Sequence, residues 1–199
     1  MTSSEQFRTR ILEAARRCYI ESPKSERMHS LIAERAGVSR PTVYKYLGDQ
    51  DAIKKALMQS EALGYLAALQ PAFEQRLPLR EHFRELVVFS VTYLRENELF
   101  RAMLAAAPEE LARSLTIDLA PVLAQGTDIA TPLLQRIHPA TADSPVPMEL
   151  VLEWGVRVSL SLVTTPSPNR DLGSPDAIRA HVDALFAIAG SPIAEPATE

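Results

Sequence analysis

Residues 28–47 read MHSLIAERAGVSRPTVYKYL, and their spacing decides the fold. Leu31, Ile32 and Ala36 set apolar groups at helical intervals over 28–36. Gly37 follows where a helix end needs a residue tolerant of positive φ. Ser39 can cap a next helix over about 40–46, with Pro41 in its first turn, where a missing N–H costs little. Ile32, Ala33, Ala36, Val38 and Val43 are spaced to pack the two helices across the turn, and Ala33 is small enough for close approach. The second of these helices has little apolar surface left to bury. Its remaining residues, Arg40, Thr42, Tyr44, Lys45 and Tyr46, are hydrogen-bond donors or aromatics.

On the N-terminal side, residues 5–21 carry Phe7, Ile11, Ala14, Ala15 and Cys18 on one helical face, with Arg10, Glu13, Arg16 and Arg17 largely off it. Ser3 or Ser4 can start this helix and Pro23 marks its end. On the C-terminal side, Leu47, Gly48 and Asp49 break the chain. Asp49 can cap a longer helix over 50–70, with Ile53, Ala56 and Leu57 inward and Lys54 and Lys55 nearer its outer side. A short donor-rich helix, held outward by a three-helix core, suits the major groove of DNA.

The run AGVSRPTVYKYL resembles the helix-turn-helix signature of TetR-family regulators. The resemblance covers about residues 7–58; beyond residue 60 it is one of architecture only. It implies groove contacts from Arg40, Thr42, Tyr44 and Lys45, with Ser39, Pro41 and Tyr46 beside them. It also implies phosphate contacts from the starts of the second and fourth helices, and there the sequence departs from the pattern. The usual Thr near the second helix start is Met28 or His29 here, which leaves Ser30 as its substitute. The usual Lys at the start of the fourth helix is Gln50, with Lys54 or Lys55 one turn later. Fewer phosphate contacts would make the salt dependence shallower, each being worth a slope of roughly −0.9.

The rest of the chain predicts an all-α protein. Of the 15 prolines only Pro23 and Pro41 lie in the first 60 residues. Pro71, Pro78, Pro108, Pro121, Pro132 and Pro139 punctuate apolar helical segments, giving helices near 79–96, 97–106, 109–119 and 121–137 and a loop over 138–147. Residues 148–164, MELVLEWGVRVSLSLVT, are apolar on most sides and read as a buried helix, although VRVSLSLV alone alternates as a strand would. Ser174 and Pro175 open a last helix to 189, carrying Ile178, Val182, Leu185, Phe186 and Ala189. The expected division is a helix-turn-helix domain over 1–48, a helical effector-binding and dimerisation domain over 49–190, and a disordered tail over 191–199.

Charge is distributed unevenly. Residues 1–60 hold 11 Lys+Arg against 7 Asp+Glu, a net of +4, while 61–199 hold 10 against 18, a net of −8. A basic head on an acidic body suits contact with a polyanion. Cys18, the only cysteine, can form no intrachain disulfide and reads as a small buried residue. The four histidines lack metal-ligand spacing, and no motif for a nucleotide, a nucleophilic serine or a zinc-bound water occurs. No catalytic residue, metal or cofactor is implied. With no signal-peptide run and no uncharged apolar stretch of about 20 residues, the cytoplasm is the expected location and no membrane partner is expected.

Polar groups on apolar helices are candidates for an effector pocket. Tyr93, Asn97, Trp154 and Arg157 are the main ones, with His82, Ser159 and Ser161 beside them. Each also has a structural reading: Arg157 can pair with Glu153 one turn earlier, the serines can bond their own helix, and His82 reads as a surface residue near a helix start. The apolar content of the last two helices places a dimer interface on Trp154, Val158, Leu162, Ile178, Val182, Leu185 and Phe186, helped by close approach at Gly155. The implied partners are double-stranded DNA, a second copy of the chain and a mainly apolar small molecule. The implied activity is that of a ligand-released repressor on a palindromic operator. An activator, an interaction protein that has kept the fold without DNA binding, and an enzyme built in a helical cavity are the rival readings.

Overall fold

The computed structural model describes residues 3–139 and 146–189, and ten helices lie among them, with no strand. They are α1 (Ser3–Glu21), α2 (Met28–Ala36), α3 (Arg40–Leu47), α4 (Gln50–Phe73), α5 (Leu79–Glu96), α6 (Glu98–Ala106), α7 (Pro108–Thr116), α8 (Ala120–Ile137), α9 (Met148–Thr164) and α10 (Pro175–Ala189). The alternating run in 156–163 is helical throughout, because α9 buries Met148, Ser159 and Leu162 at helical and not strand intervals. The expected tail over 191–199, and most of the loop expected over 138–147, lie outside the described residues.

Helix ends follow local chemistry. Asn97 caps α6, its Oδ1 accepting from the Phe100 N–H at 2.9 Å, and Ser174 caps α10 by accepting from the Ala177 N–H at 3.2 Å. Two prolines expected to punctuate helices instead lie inside them. Pro71 sits in the last turn of α4 and Pro132 within α8. Each removes one backbone donor from a helix whose flanking turns remain intact. α7 stops at Thr116, short of the expected residue 119.

The chain divides into two compact units. One unit takes the chain to Gln70 together with Tyr93–Ala130; the other takes Pro71–Thr92 and the chain from Thr131 on. In the first, α1 packs on α2, α3 and α6. Its core joins Ile11, Ala15, Cys18, Tyr19, Met28, Ile32, Val43, Leu47, Ile53, Leu57 and Leu99, so α4 and α6 share the core of the N-terminal helices. At roughly 1.5–3 kcal/mol per fully buried large apolar side chain, this shared core is the main stabilising term.

In the second unit, Val87, Val88 and Val91 of α5 meet Leu162 of α9, Leu172, and Ile178 and Val182 of α10. Arg179 clamps Glu85, donating from Nε at 2.9 Å and from Nη2 at 2.9 Å, and Arg84 donates to Asp183 at 3.1 Å. The Arg179 guanidinium, seconded by Arg84, holds the Glu85 carboxyl below its ordinary range against the opposing effect of burial. His82 is a correction to the sequence reading: it is 1% exposed. Its Nε2 lies 2.9 Å from the Ala72 carbonyl, and its Nδ1 lies 2.8 Å from His138 Nε2. A carbonyl can only accept, so neutral His82 carries its proton on Nε2 and receives the His138 Nε2–H on Nδ1. No helix among the described residues is long and apolar enough to cross a membrane, and no group of three or more potential metal ligands occurs among them.

Candidate nucleic-acid interface

The turn between α2 and α3 is built as its residue types require. Gly37 stands at φ 65° and ψ 39°, and the Val38 N–H returns to the Ala33 carbonyl at 3.0 Å, closing α2. Ser39 has extended backbone, and its Oγ accepts from the Thr42 N–H at 3.3 Å while lying 2.8 Å from Thr42 Oγ1. Ser39 is thus the cap of α3. Gly48 ends α3 at φ 79° and ψ −151°, a region essentially closed to other residues. Asp49 then caps α4, its Oδ1 accepting from the Ala52 N–H at 2.8 Å.

Between these two glycines α3 turns one face inward and the other outward. Val43 and Leu47 are buried in the head's core, while Arg40, Pro41, Tyr44 and Lys45 are exposed. Thr42 is half-buried. Tyr46 turns toward α1, its ring 5.1 Å from that of Phe7, so it belongs as much to the head's packing as to its surface. Lys45 Nζ lies 5.6 Å from the Tyr46 ring and Arg40 lies 5.8 Å from that of Tyr44. The outward face is therefore two cations, each over an aromatic ring, and such a face can donate to phosphates and base edges.

The flanking positions divide. Ser30 is half-buried in the first turn of α2, beside the buried Met28 and His29. Gln50 is the first residue of α4 and offers an amide where a cation was expected. Lys54 is already engaged: its Nζ lies 2.7 Å from Glu110 Oε2. Lys55, next to it, is exposed. Behind the head, Arg35 donates to Glu21 from both terminal nitrogens, one at 2.7 Å, and this holds the Glu21 carboxyl below its ordinary range.

The residue missed by sequence reasoning is His29. It is 8% exposed and lies face to face with Tyr44, centroids 3.9 Å apart and planes within 9°. Its place one helical turn before Ile32 and Ala33, on the buried face of α2, is the signal that could have found it.

The candidate effector residues are scattered between structural tasks. Asn97 caps α6 and donates from Nδ2 to Glu61 at 2.6 Å. Tyr93 meets Tyr65 edge to face at 5.5 Å. Arg157 pairs with Glu153, as its other reading expected, through Nε at 2.8 Å. Ser159 donates to the Gly155 carbonyl at 2.7 Å. Some of the residues expected at a dimer face are packed within the chain itself. Leu162, Ile178 and Val182 are spent in the chain's own core, with Val158 and Phe186 packed against it, because α5 covers that side of α9 and α10. A Cβ at Gly155 would meet Phe83 of the same chain at 3.5 Å, an ordinary contact, so nothing requires glycine there. Trp154, 50% exposed, and Leu185 remain on the surface, joined by Ile188.

A helix-turn-helix head carried on further helices is the architecture of a class of DNA-binding regulators. No family model matches the chain, and no curated protein sequence does. Solved structures do match. The TetR-family repressor AlkX from Dietzia sp. strain DQ12-45-1b, implicated in biodegradation of n-alkanes, superposes with a TM-score of 0.60 at 19% identity, covering 92% of this chain and 94% of that one. The transcriptional repressor QsdR of R. erythropolis, from the TetR family, gives 0.62 at 19% identity over 92% of this chain and 95% of that one. A putative TetR-family regulator from Mesorhizobium loti MAFF303099 gives 0.61 at 20% identity over 94% and 98%. The chain has the all-α fold of TetR-family regulators over nearly its whole length.

Proposed function

We propose that this chain is a sequence-specific DNA-binding transcriptional regulator, acting as a homodimer on a palindromic operator as a repressor released by a mainly apolar small molecule. The observation that carries the reading is the outward face of α3, where Arg40, Tyr44 and Lys45 are exposed between two glycine-dependent ends while Val43 and Leu47 fix the helix to the core. The net charge of +4 over residues 1–60, from 11 basic and 7 acidic side chains, favours the same partner. Shared fold with TetR-family repressors supports the reading without supplying the operator.

The homodimer is supported by the apolar groups α9 and α10 leave exposed, Trp154, Leu185 and Ile188. Two copies reading successive major grooves would set their α3 helices about 34–36 Å apart. An effector that binds one spacing better than another weakens DNA binding by its differential affinity for the two states. The effector is supported by architecture alone, since Asn97 and Arg157 are engaged by their own chain.

The test is selection of the purified protein on a randomised duplex pool at physiological salt. Enrichment of a near-palindrome, weakened by Lys45→Ala, is expected. A folded protein that enriches no sequence would overturn the reading and turn attention to the helical body as a binding or catalytic cavity.

A further inference from the structure

The side chain that presents Tyr44 is held from behind by a short relay. Gly48 takes a backbone conformation that other residues reach only with strain, and a Cβ there would lie 2.9 Å from that of Ala52. That conformation points the Gly48 carbonyl at His29, whose Nε2 lies 3.0 Å away. The carbonyl can only accept, so His29 holds its proton on Nε2 and its ring plane is fixed by the bond. The Tyr44 ring lies on that plane at 3.9 Å and 9°. His29 is buried whereas Tyr44 is 44% exposed, so one face of the tyrosine rests on a fixed support and the rest is left to solvent.

We infer that His29 is a positioning residue for DNA recognition, setting the Tyr44 ring before DNA arrives. The inference rests on the reading of α3 as the recognition helix. Its physical content is preorganisation. Ordering a side chain at an interface costs conformational entropy, and a ring already stacked has met that cost in the free protein. Arg40, 5.8 Å from the Tyr44 ring, draws on the same support, since a fixed ring gives the guanidinium a fixed partner. A hydroxyl or aliphatic residue at position 29 would leave Tyr44 free to sample several rotamers.

The experiment uses the full-length protein and the duplex enriched from the randomised pool. His29→Ala is expected to lower affinity roughly three- to tenfold per half-site, the range that ordering one side chain spans. His29→Phe keeps a flat support without the bond to Gly48 and is expected to recover only part of the loss. On a Tyr44→Ala background, His29→Ala is expected to change affinity little, because the ring it positions is gone. In the free protein, the Tyr44 ring resonances are expected upfield in the parent and in His29→Phe and unshifted in His29→Ala. Equal losses from His29→Ala with and without the Tyr44 ring, or no shift of the Tyr44 resonances, would make His29 a core residue only and overturn the inference. An enriched duplex bound by His29→Ala as tightly as by the parent sinks the inference alone. A pool that enriches nothing sinks the DNA reading and the inference together.

Discussion

Arg16 of α1 donates through Nε to Glu61 of α4 at 2.7 Å, and the other Glu61 oxygen accepts from Asn97 Nδ2 at 2.6 Å. One carboxylate thus ties the first helix to α4 and to the cap of α6, with the Arg16 and Glu61 side chains 33% and 25% exposed. The carboxylate raises the Arg16 guanidinium above its ordinary value, against the opposing effect of burial.

Glu61→Ala should therefore destabilise the first unit by about 1–2 kcal/mol, since it strands two donors while solvent screens part of the loss. Glu61→Gln should lose less, because an amide oxygen still accepts. Urea denaturation of the three proteins checks the order; equal midpoints would show that the tie contributes nothing.

Stability should also fall on mild acidification. Burial lowers the His82 pKa below its ordinary 6.5, opposed by the Ala72 carbonyl and reinforced by His138, and burial lowers His138 as well. The unfolded chain then binds more protons than the folded one just below pH 6.5, so stability is present above that value and is lost as pH falls beneath it. The slope approaches about 1.4 kcal/mol per pH unit for each histidine in that window. His82→Gln should flatten it. The carboxylates of Glu85 and Glu21, held below their ordinary 4.5, act only at lower pH and leave the window clean. Denaturation midpoints that do not move between about pH 7.5 and 5.5 would remove the histidine pair from this role.

The two turn glycines should not be equivalent. At Gly37 a Cβ would meet nothing within 4 Å, so Gly37→Ala carries only the left-handed penalty, roughly 1–2 kcal/mol. At Gly48 strain and a 2.9 Å approach to Ala52 coincide, and Gly48→Ala should cost roughly 2–4 kcal/mol. Thermal melts of the two variants give the comparison directly.

Glu110 pairs with Lys54 at 2.7 Å and so competes with any phosphate for it. Glu110→Gln should tighten duplex binding and steepen its salt dependence by up to about 0.9 per half-site. Lys54→Ala in the parent should change either quantity little. A salt series by fluorescence anisotropy reads both; a slope unaffected by Glu110→Gln would place Lys54 away from the DNA.

Trp154→Glu adds charge to the exposed apolar face of α9 and should shift sedimentation toward the monomer without altering the helical circular dichroism. A variant that sediments as the parent does would place the interface elsewhere.

The head was legible in the sequence because its signals are local. Gly37, Ser39 and Asp49 announce two turns and two caps, and each residue performs its announced task. Helix α9 was legible to its ends because Pro147 and the run after Thr164 bound it. Other features depend on distant contacts. Pro71 and Pro132 look like breaks, yet neighbouring turns carry the helix through. Ile178 and Val182 share one apolar stripe with Leu185, and only the position of α5 shows that the first two are covered and the third is not. His82 looked like a surface residue because its partners, Ala72 and His138, come from other elements. His29 was seen only as an absent threonine; the stack with Tyr44 needs α3 folded back on α2 before it exists.

Cys18 lies in the core of the N-terminal helices, 3% exposed, and burial pushes its thiol above the ordinary value. It is also the chain's only thiol. A thiol so placed reacts with an alkylating reagent only during the brief openings that bare it. The head therefore carries its own clock: the rate at which Cys18 is alkylated in the native protein counts how often the helices around it come apart, with no probe residue engineered in.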